Sequence, residues 1–147
     1  MVGSGIGEIE VKYKNSPSDG GISCYDVEFR IIGENGMVSV MLVQKGCYRW
    51  SEVTVAEVHQ NGKFNDLSKL STDLSAWNTI RMINQNNTTK ILNGKDTIFS
   101  CNYKQAIGSI KGIRLVTKGS VAFDYVKLRD DKGNLKFEDN FSNMVNL

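Results

Sequence analysis

The chain has 147 residues, 40% of them hydrophobic, with 14 glycines against a single proline. That length suits one domain able to bury a continuous core without disulfides or metal. Its 18 Lys and Arg nearly balance 16 Asp and Glu and are scattered rather than clustered, which argues against nucleic acid or anionic lipid as a partner.

Residues 1–7 lack both a basic and an apolar region, so they read as a flexible lead-in and not as a signal peptide. Residues 8–147 then form a single domain. No stretch approaches the ~20 apolar residues of a membrane span, so membrane insertion is not expected. Cys24, Cys47 and Cys101 are an odd number with no CxxC pair. At least one must be unpaired within a monomer, and their strand-like settings predict small buried hydrophobes, not a disulfide framework.

Alternation of apolar and polar residues marks a strand over Glu8–Lys14, with Ile9, Val11 and Tyr13 on one side. Cys24–Ile32 repeats the pattern: Tyr25, Val27, Phe29 and Ile31 oppose Asp26, Glu28 and Arg30. Gly33–Gly36 is a turn. Met37–Gln44 is apolar on both faces and predicts a central strand. Lys45–Trp50 breaks the pattern, Glu52–Gln60 resumes it, and Asn61-Gly62 predicts a hairpin into Lys63–Leu67.

Ser68–Ala76 is irregular, with Asp66 or Ser68 suited to cap a single helical turn. A strand opened by Trp77, a polar reversal and a second strand lead to Asn93-Gly94. That turn favours positive φ at both central positions and sets a hairpin into Asp96–Cys101. Ile110–Lys118 and Ser120–Arg129 predict an antiparallel pair around Lys118-Gly119, with Val121, Phe123 and Tyr125 on one face. Leu135–Phe141 is a last strand. Ten or eleven strands without a long helix predict an all-β sandwich of two antiparallel sheets.

Several residue groups bear on chemistry. Asp26 and Glu28 share a strand face with Cα atoms about 6.5–7 Å apart, a spacing compatible with a glycosidase carboxylate pair. Arg30 on the same face favours both as carboxylates, which opposes the raised pKa of a general acid. His59 is the lone histidine and reads as a surface or rim residue. One His and three dispersed Cys make no zinc set.

The Asp130-Asp131-Lys132-Gly133-Asn134 turn gathers oxygens of the kind Ca²⁺ takes, but its lysine and short loop favour a plain hairpin. No other cofactor is expected. The aromatic-basic-aromatic cluster in Gly46-Cys47-Tyr48-Arg49-Trp50 is the best binding candidate, because sugar C–H faces stack on Tyr and Trp. The alternative is that Tyr48 or Trp50 plugs the end of the core.

Four segments carry a resemblance: Trp77-Asn78-Thr79-Ile80-Arg81, Ile91-Leu92-Asn93-Gly94-Lys95, residues 107–114, and Phe123-Asp124-Tyr125-Val126-Lys127-Leu128. Together, over about a third of the chain, they resemble the second half of concanavalin A-like lectin/glucanase jelly rolls of the kind found in secreted Bacteroidetes proteins. The resemblance implies a jelly-roll sandwich, a buried Trp77, and a secreted, periplasmic or cell-surface setting. Residues 137–141, Phe-Glu-Asp-Asn-Phe, resemble the opening strand of such domains yet stand at the C-terminus, as in a permuted order or a piece of a longer protein.

The E-x-D-x-x-E motif of laminarinase-type hydrolases is missing. The implied function is therefore a non-catalytic carbohydrate-binding or accessory module of an exported glycan-handling protein. Tyr48 and Trp50 would stack on the sugar, and Arg49, Arg81 and Asp124 would supply polar contacts. The alternatives are a glycoside hydrolase using Asp26 and Glu28, or an architectural domain without a ligand.

Overall fold

The computed structural model describes residues 6–16, 24–117 and 120–141. Twelve strands occur among them: β1 (Ile6–Ser16), β2 (Asp26–Gly33), β3 (Met37–Gln44), β4 (Glu52–Val55), β5 (Val58–Asn61), β6 (Ser71–Thr72), β7 (Asn78–Gln85), β8 (Thr88–Asn93), β9 (Asp96–Asn102), β10 (Ile110–Thr117), β11 (Ser120–Asp130) and β12 (Leu135–Asp139). One sheet runs β12-β11-β1-β7-β8-β9. The other runs β10-β2-β3-β4-β5, with β6 pairing in parallel on β3. Ile6 and Gly7 belong to β1, and the rest of the expected lead-in lies outside the described residues.

Alternation builds the core. In β1, Ile9, Val11 and Tyr13 point inward; in β2, Val27, Phe29 and Ile31; in β3, Val38, Val40 and Leu42, the last three fully buried. Tyr13 meets Phe29 edge-on across the sheets, with ring centroids 5.3 Å apart. Each such aliphatic side chain contributes about 1.5–3 kcal/mol when fully buried, so a register slip in β1 or β2, exposing a whole row at once, is strongly disfavoured.

Four expectations are corrected. Residues 52–60 are not one strand. A turn at Ala56-Glu57, where Ala56 takes φ 52, splits them into the β4–β5 hairpin. Lys63–Leu67 is turn, with no strand. Strands β10 and β11 do not pair with each other: β10 joins β2 in one sheet, and β11 joins β1 and β12 in the other. The Lys118-Gly119 turn lies outside the described residues.

Finally, Tyr125 is not on the face of Phe123. Lys12 pairs with Tyr125 and Tyr13 with Phe123, which leaves Asp124 as the extra residue of a β-bulge. Phe123 stays inward, whereas Tyr125 turns outward and donates its hydroxyl to Glu10.

The single helical turn is present, as a 3-10 turn at Ser68–Leu70. Asp66 serves it by accepting the N–H of Ser68 at 3.1 Å. No helix among the described residues is long and apolar enough to cross a membrane.

Candidate functional site

Strand β3 ends at Gln44, and Gly46, with φ 88, reverses the chain so that Cys47 accepts a place opposite Cys24. The two sulfurs are bonded. This corrects the expectation of buried core cysteines: Cys24 is exposed and Cys47 half-buried, and the bond ties the chain just before β2 to the chain just after β3. Cys101 is the free thiol, and burial raises its pKa.

Cys47 opens a 3-10 turn made of Tyr48, Arg49 and Trp50. The turn closes with Trp50 N–H donating to the Cys47 carbonyl at 3.0 Å and Ser51 N–H to the Tyr48 carbonyl at 3.1 Å. Buried Ser51 then donates its hydroxyl to the Met41 carbonyl at 2.7 Å, fastening the turn to β3. From below, Gly62 donates its N–H to the Ser51 carbonyl at 2.8 Å. With covalent and hydrogen-bonded anchors on three sides, the turn holds its side chains in place before any ligand arrives.

None of the three turn residues enters the core. Trp50 is 66% exposed, and Tyr48 and Arg49 are exposed as well, so the core-plug alternative is excluded. Trp50 stands between two concavities. The first, of about 510 Å³, lies on the outer side of β2 and β3 and is lined by Tyr25, Asp26, Met41, Val43, Trp50 and Glu52. The second, of about 330 Å³, is lined by Arg49, Trp50, Glu52, Asn61, Lys63 and Phe64. Trp50 and Glu52 are common to both.

Sequence reasoning missed Phe64, which is 84% exposed. Its turn is held by Asn61, whose side-chain oxygen accepts the Lys63 N–H at 3.0 Å and whose carbonyl accepts the Asn65 N–H at 2.9 Å. An aromatic residue alone among Asn, Gly and Asp was the available signal for a turn rather than a strand.

The other expected site residues lie elsewhere. Arg81 is on the outer face of the opposite sheet, where it donates to Glu8 at 2.9 Å. Asp124 is on that same face and pairs with Lys12 at 3.3 Å. One nitrogen of Arg129 bridges Glu8 at 2.7 Å and Glu10 at 2.9 Å, closing a network with Arg81 and Tyr125. Burial pushes the Glu10 carboxyl up, but hydrogen bonds from Tyr125 and Arg129 outweigh it and leave its pKa lowered.

Trp77 is also on this outer face. It is 47% exposed and not in the core, with Lys14 and Lys12 nitrogens 5.0 and 5.8 Å from its ring centre. It begins the chain just ahead of β7, so strand alternation does not turn it inward.

Of the two candidate acids, Asp26 lines the first concavity beside Trp50. Glu28 is held by Arg30 in a two-pronged bond at 2.8 and 2.9 Å and accepts Ser39 Oγ at 2.7 Å. Those Arg30 bonds, chiefly, lower its pKa. His59 is exposed, with its Nδ1 3.0 Å from Thr54 Oγ1. In the acidic turn, buried Asp130 accepts the N–H groups of Lys132 and Asn134 at 2.9 and 2.8 Å, so it holds the hairpin together. Among the described residues no three His, Cys, Asp or Glu side chains converge on a metal position.

By sequence, no protein-family model and no curated protein matches the chain. By shape, solved structures do. A chain described as a native glycosidic hydrolase matches with a TM-score of 0.50 and 13% identity, over 84% of this chain and 64% of that one. A β-glucanase of Bacillus licheniformis gives 0.45 and 15%, over 78% of this chain and 53% of that one. The fold is a concanavalin A-like jelly roll. Identities this low speak for the fold alone, because one scaffold hosts unrelated chemistries. This jelly roll spans between about half and two thirds of the length of the chains it matches.

Proposed function

We propose that this jelly roll is a non-catalytic carbohydrate-binding module of an exported glycan-handling protein. The observation that carries the reading is Trp50, mostly exposed on a turn anchored on three sides and set between two concavities. Leaving a large indole in water is unfavourable unless a partner covers it, and a pyranose ring presents a matching C–H face. Arg49, Glu52, Asn61 and Asp26 surround the indole with the donors and acceptors that sugar hydroxyls require.

Hydrolysis by Asp26 and Glu28 has less support. A glycosidase needs one carboxyl with a raised pKa to protonate the leaving group, and Arg30 moves Glu28 the other way. The Cys24–Cys47 bond supports an oxidising, extracytoplasmic setting. The neighbours in shape, described as a glucanase and a glycosidic hydrolase, favour a glycan context.

The test is a glycan array followed by calorimetry on the hits, with Trp50→Ala alongside the parent chain. Loss of a stacking platform is expected to weaken binding by about tenfold or more, on the scale of 1.4 kcal/mol per decade. Parent-like affinity in Trp50→Ala would exclude this site.

A further inference from the structure

The Ser68–Leu70 turn packs against the Tyr48–Trp50 turn. Its Lys69 lines a further hollow of about 720 Å³, larger than either of those beside Trp50. One wall of this hollow comes from the chain around β6, with Lys69 and Thr72; the other comes from the β8–β9 hairpin, with Asn93, Lys95, Asp96 and Thr97. Buried Asn78 ties the two walls together. Its Oδ1 accepts Thr72 Oγ1 at 3.3 Å from one and Asn93 Nδ2 at 3.0 Å from the other. Its Nδ2 donates to the Asp73 and Ala76 carbonyls at 2.9 and 3.0 Å. Both lone pairs and both N–H groups of that amide are thus used, and the hollow has its width set before a ligand enters.

What the walls leave for a ligand is polar, with an excess of positive charge. Lys69 and Lys95 are exposed, and among the described residues neither forms an ion pair. Asp96 is the one carboxylate in the lining, against two ammonium groups. Asp66, lowered first by its bonds to Ser68 and last by the charge of Lys69, stands outside the lining. No aromatic side chain lines the hollow.

Resting on the carbohydrate reading above, we infer that this hollow is a second subsite for the glycan, seating a unit that carries an anionic group, a sulfate ester or a carboxylate, between Lys69 and Lys95. An ammonium is a compact point charge with three donors on a flexible stem. Two of them on separate walls close on anionic oxygens without the planar match an Arg fork demands. Asp96, Asn93 and Thr97 beside them supply the mixed acceptors and donors that ring hydroxyls need. The division of labour follows from the linings: Trp50 holds a ring by stacking, and the second hollow holds charge. Two modest contacts to one chain reinforce each other through effective concentration.

The experiment uses two matched pairs of probes in calorimetry at low and moderate salt: cellohexaose with and without a sulfate at O6, and hexagalacturonate with its methyl ester. The charged member of at least one pair is expected to bind tighter than its neutral counterpart by about tenfold. Which pair shows the gain tells sulfate from carboxylate. The gain should shrink as salt rises, because exposed ammonium groups are screened. Lys69→Gln with Lys95→Gln, both on exposed side chains, should remove it and leave the neutral probes bound as before. Lys90→Gln, at an exposed lysine outside the hollow, should keep it.

Equal binding within both pairs, or a gain that survives in Lys69→Gln with Lys95→Gln, overturns the inference and leaves the carbohydrate reading standing. Failure of every probe to bind overturns it as well. A chain that also stays blank on the glycan array loses both readings.

Discussion

Cys24 and Cys47, with Cα atoms 5.8 Å apart, join the chain ahead of β2 to the residue that opens the Trp50 turn. The bond joins residues 23 positions apart in the chain. Cross-linking a loop of that size restrains the unfolded chain by about 3 kcal/mol on the loop-entropy account. Cys24→Ser with Cys47→Ser should therefore lower stability by roughly that amount and weaken glycan binding more than the lost stability explains, since the turn loses its covalent anchor. Urea unfolding of the parent with and without a dithiol reductant, beside the double variant, measures the first effect. Unchanged midpoints in both comparisons would contradict it.

Gly62 gives the sharpest local prediction. A Cβ at this position would lie 2.0 Å from the Tyr48 carbonyl oxygen and 2.8 Å from the Arg49 Cα, both backbone atoms that cannot swing aside. Gly62→Ala should force the Tyr48–Trp50 turn away from the Asn61 turn, with a cost of about 1–3 kcal/mol as for other steric insertions. The fluorescence of Trp50 should shift with it, and glycan affinity should fall. Gly112→Ala, where a Cβ meets nothing within 4 Å, is the control expected to behave like the parent.

Acid sensitivity should trace to the paired carboxylates. Glu28 is lowered from its ordinary value of 4.5 by the Arg30 hydrogen bonds. For Glu10, burial raises the pKa but is outweighed by hydrogen bonds from Tyr125 and Arg129. Near pH 4.5 the unfolded chain thus binds more protons than the folded one, so these groups contribute stability above that pH, which is lost as pH falls through their folded values. Arg30→Gln should reduce stability at neutral pH and flatten its dependence on pH below about 4.5, the ordinary glutamate value. Chemical unfolding at a series of pH values reads both; a parallel downward shift with unchanged slope would refute the assignment.

Tyr13 is fully buried, and its hydroxyl has no hydrogen-bond partner among the described residues. Burial raises its pKa, as expected for a group that cannot ionise in the core. Tyr13→Phe keeps the edge-on contact with Phe29 and removes an unsatisfied polar atom. Stability should be unchanged or higher by about 1 kcal/mol. A clear loss in thermal or urea unfolding would mean that the hydroxyl has a partner.

Much of the architecture was legible because strand alternation is a local signal. Met37–Gln44 matches β3 residue for residue, and the β8–β9 reversal falls beside Asn93-Gly94, but one residue later than expected. Asn93 is the last residue of β8, paired with Asp96, and Gly94 takes φ 62 whereas Asn93 does not take positive φ. Two misreadings share one cause. Ala56 at positive φ interrupts a run whose side-chain pattern continues through it, and the bulge at Asp124 changes the parity of β11 without any change in residue type. The Tyr48–Trp50 cluster is legible because it breaks a good alternation, whereas Phe64 is not, because the residues around it continue one.

By itself, the order of apolar and polar residues determined that this chain forms strands, which faces they bury, and that two sheets must close on each other, since burial of alternate side chains depends on near neighbours along the chain. Tertiary structure alone decided which strands share a sheet, that Cys24 meets Cys47, and that Arg81 and Asp124 lie on the outer face of the opposite sheet from Trp50. Those relationships depend on pairing partners and registers between segments far apart in sequence, where many arrangements satisfy the same local pattern and only the packing of the whole selects one.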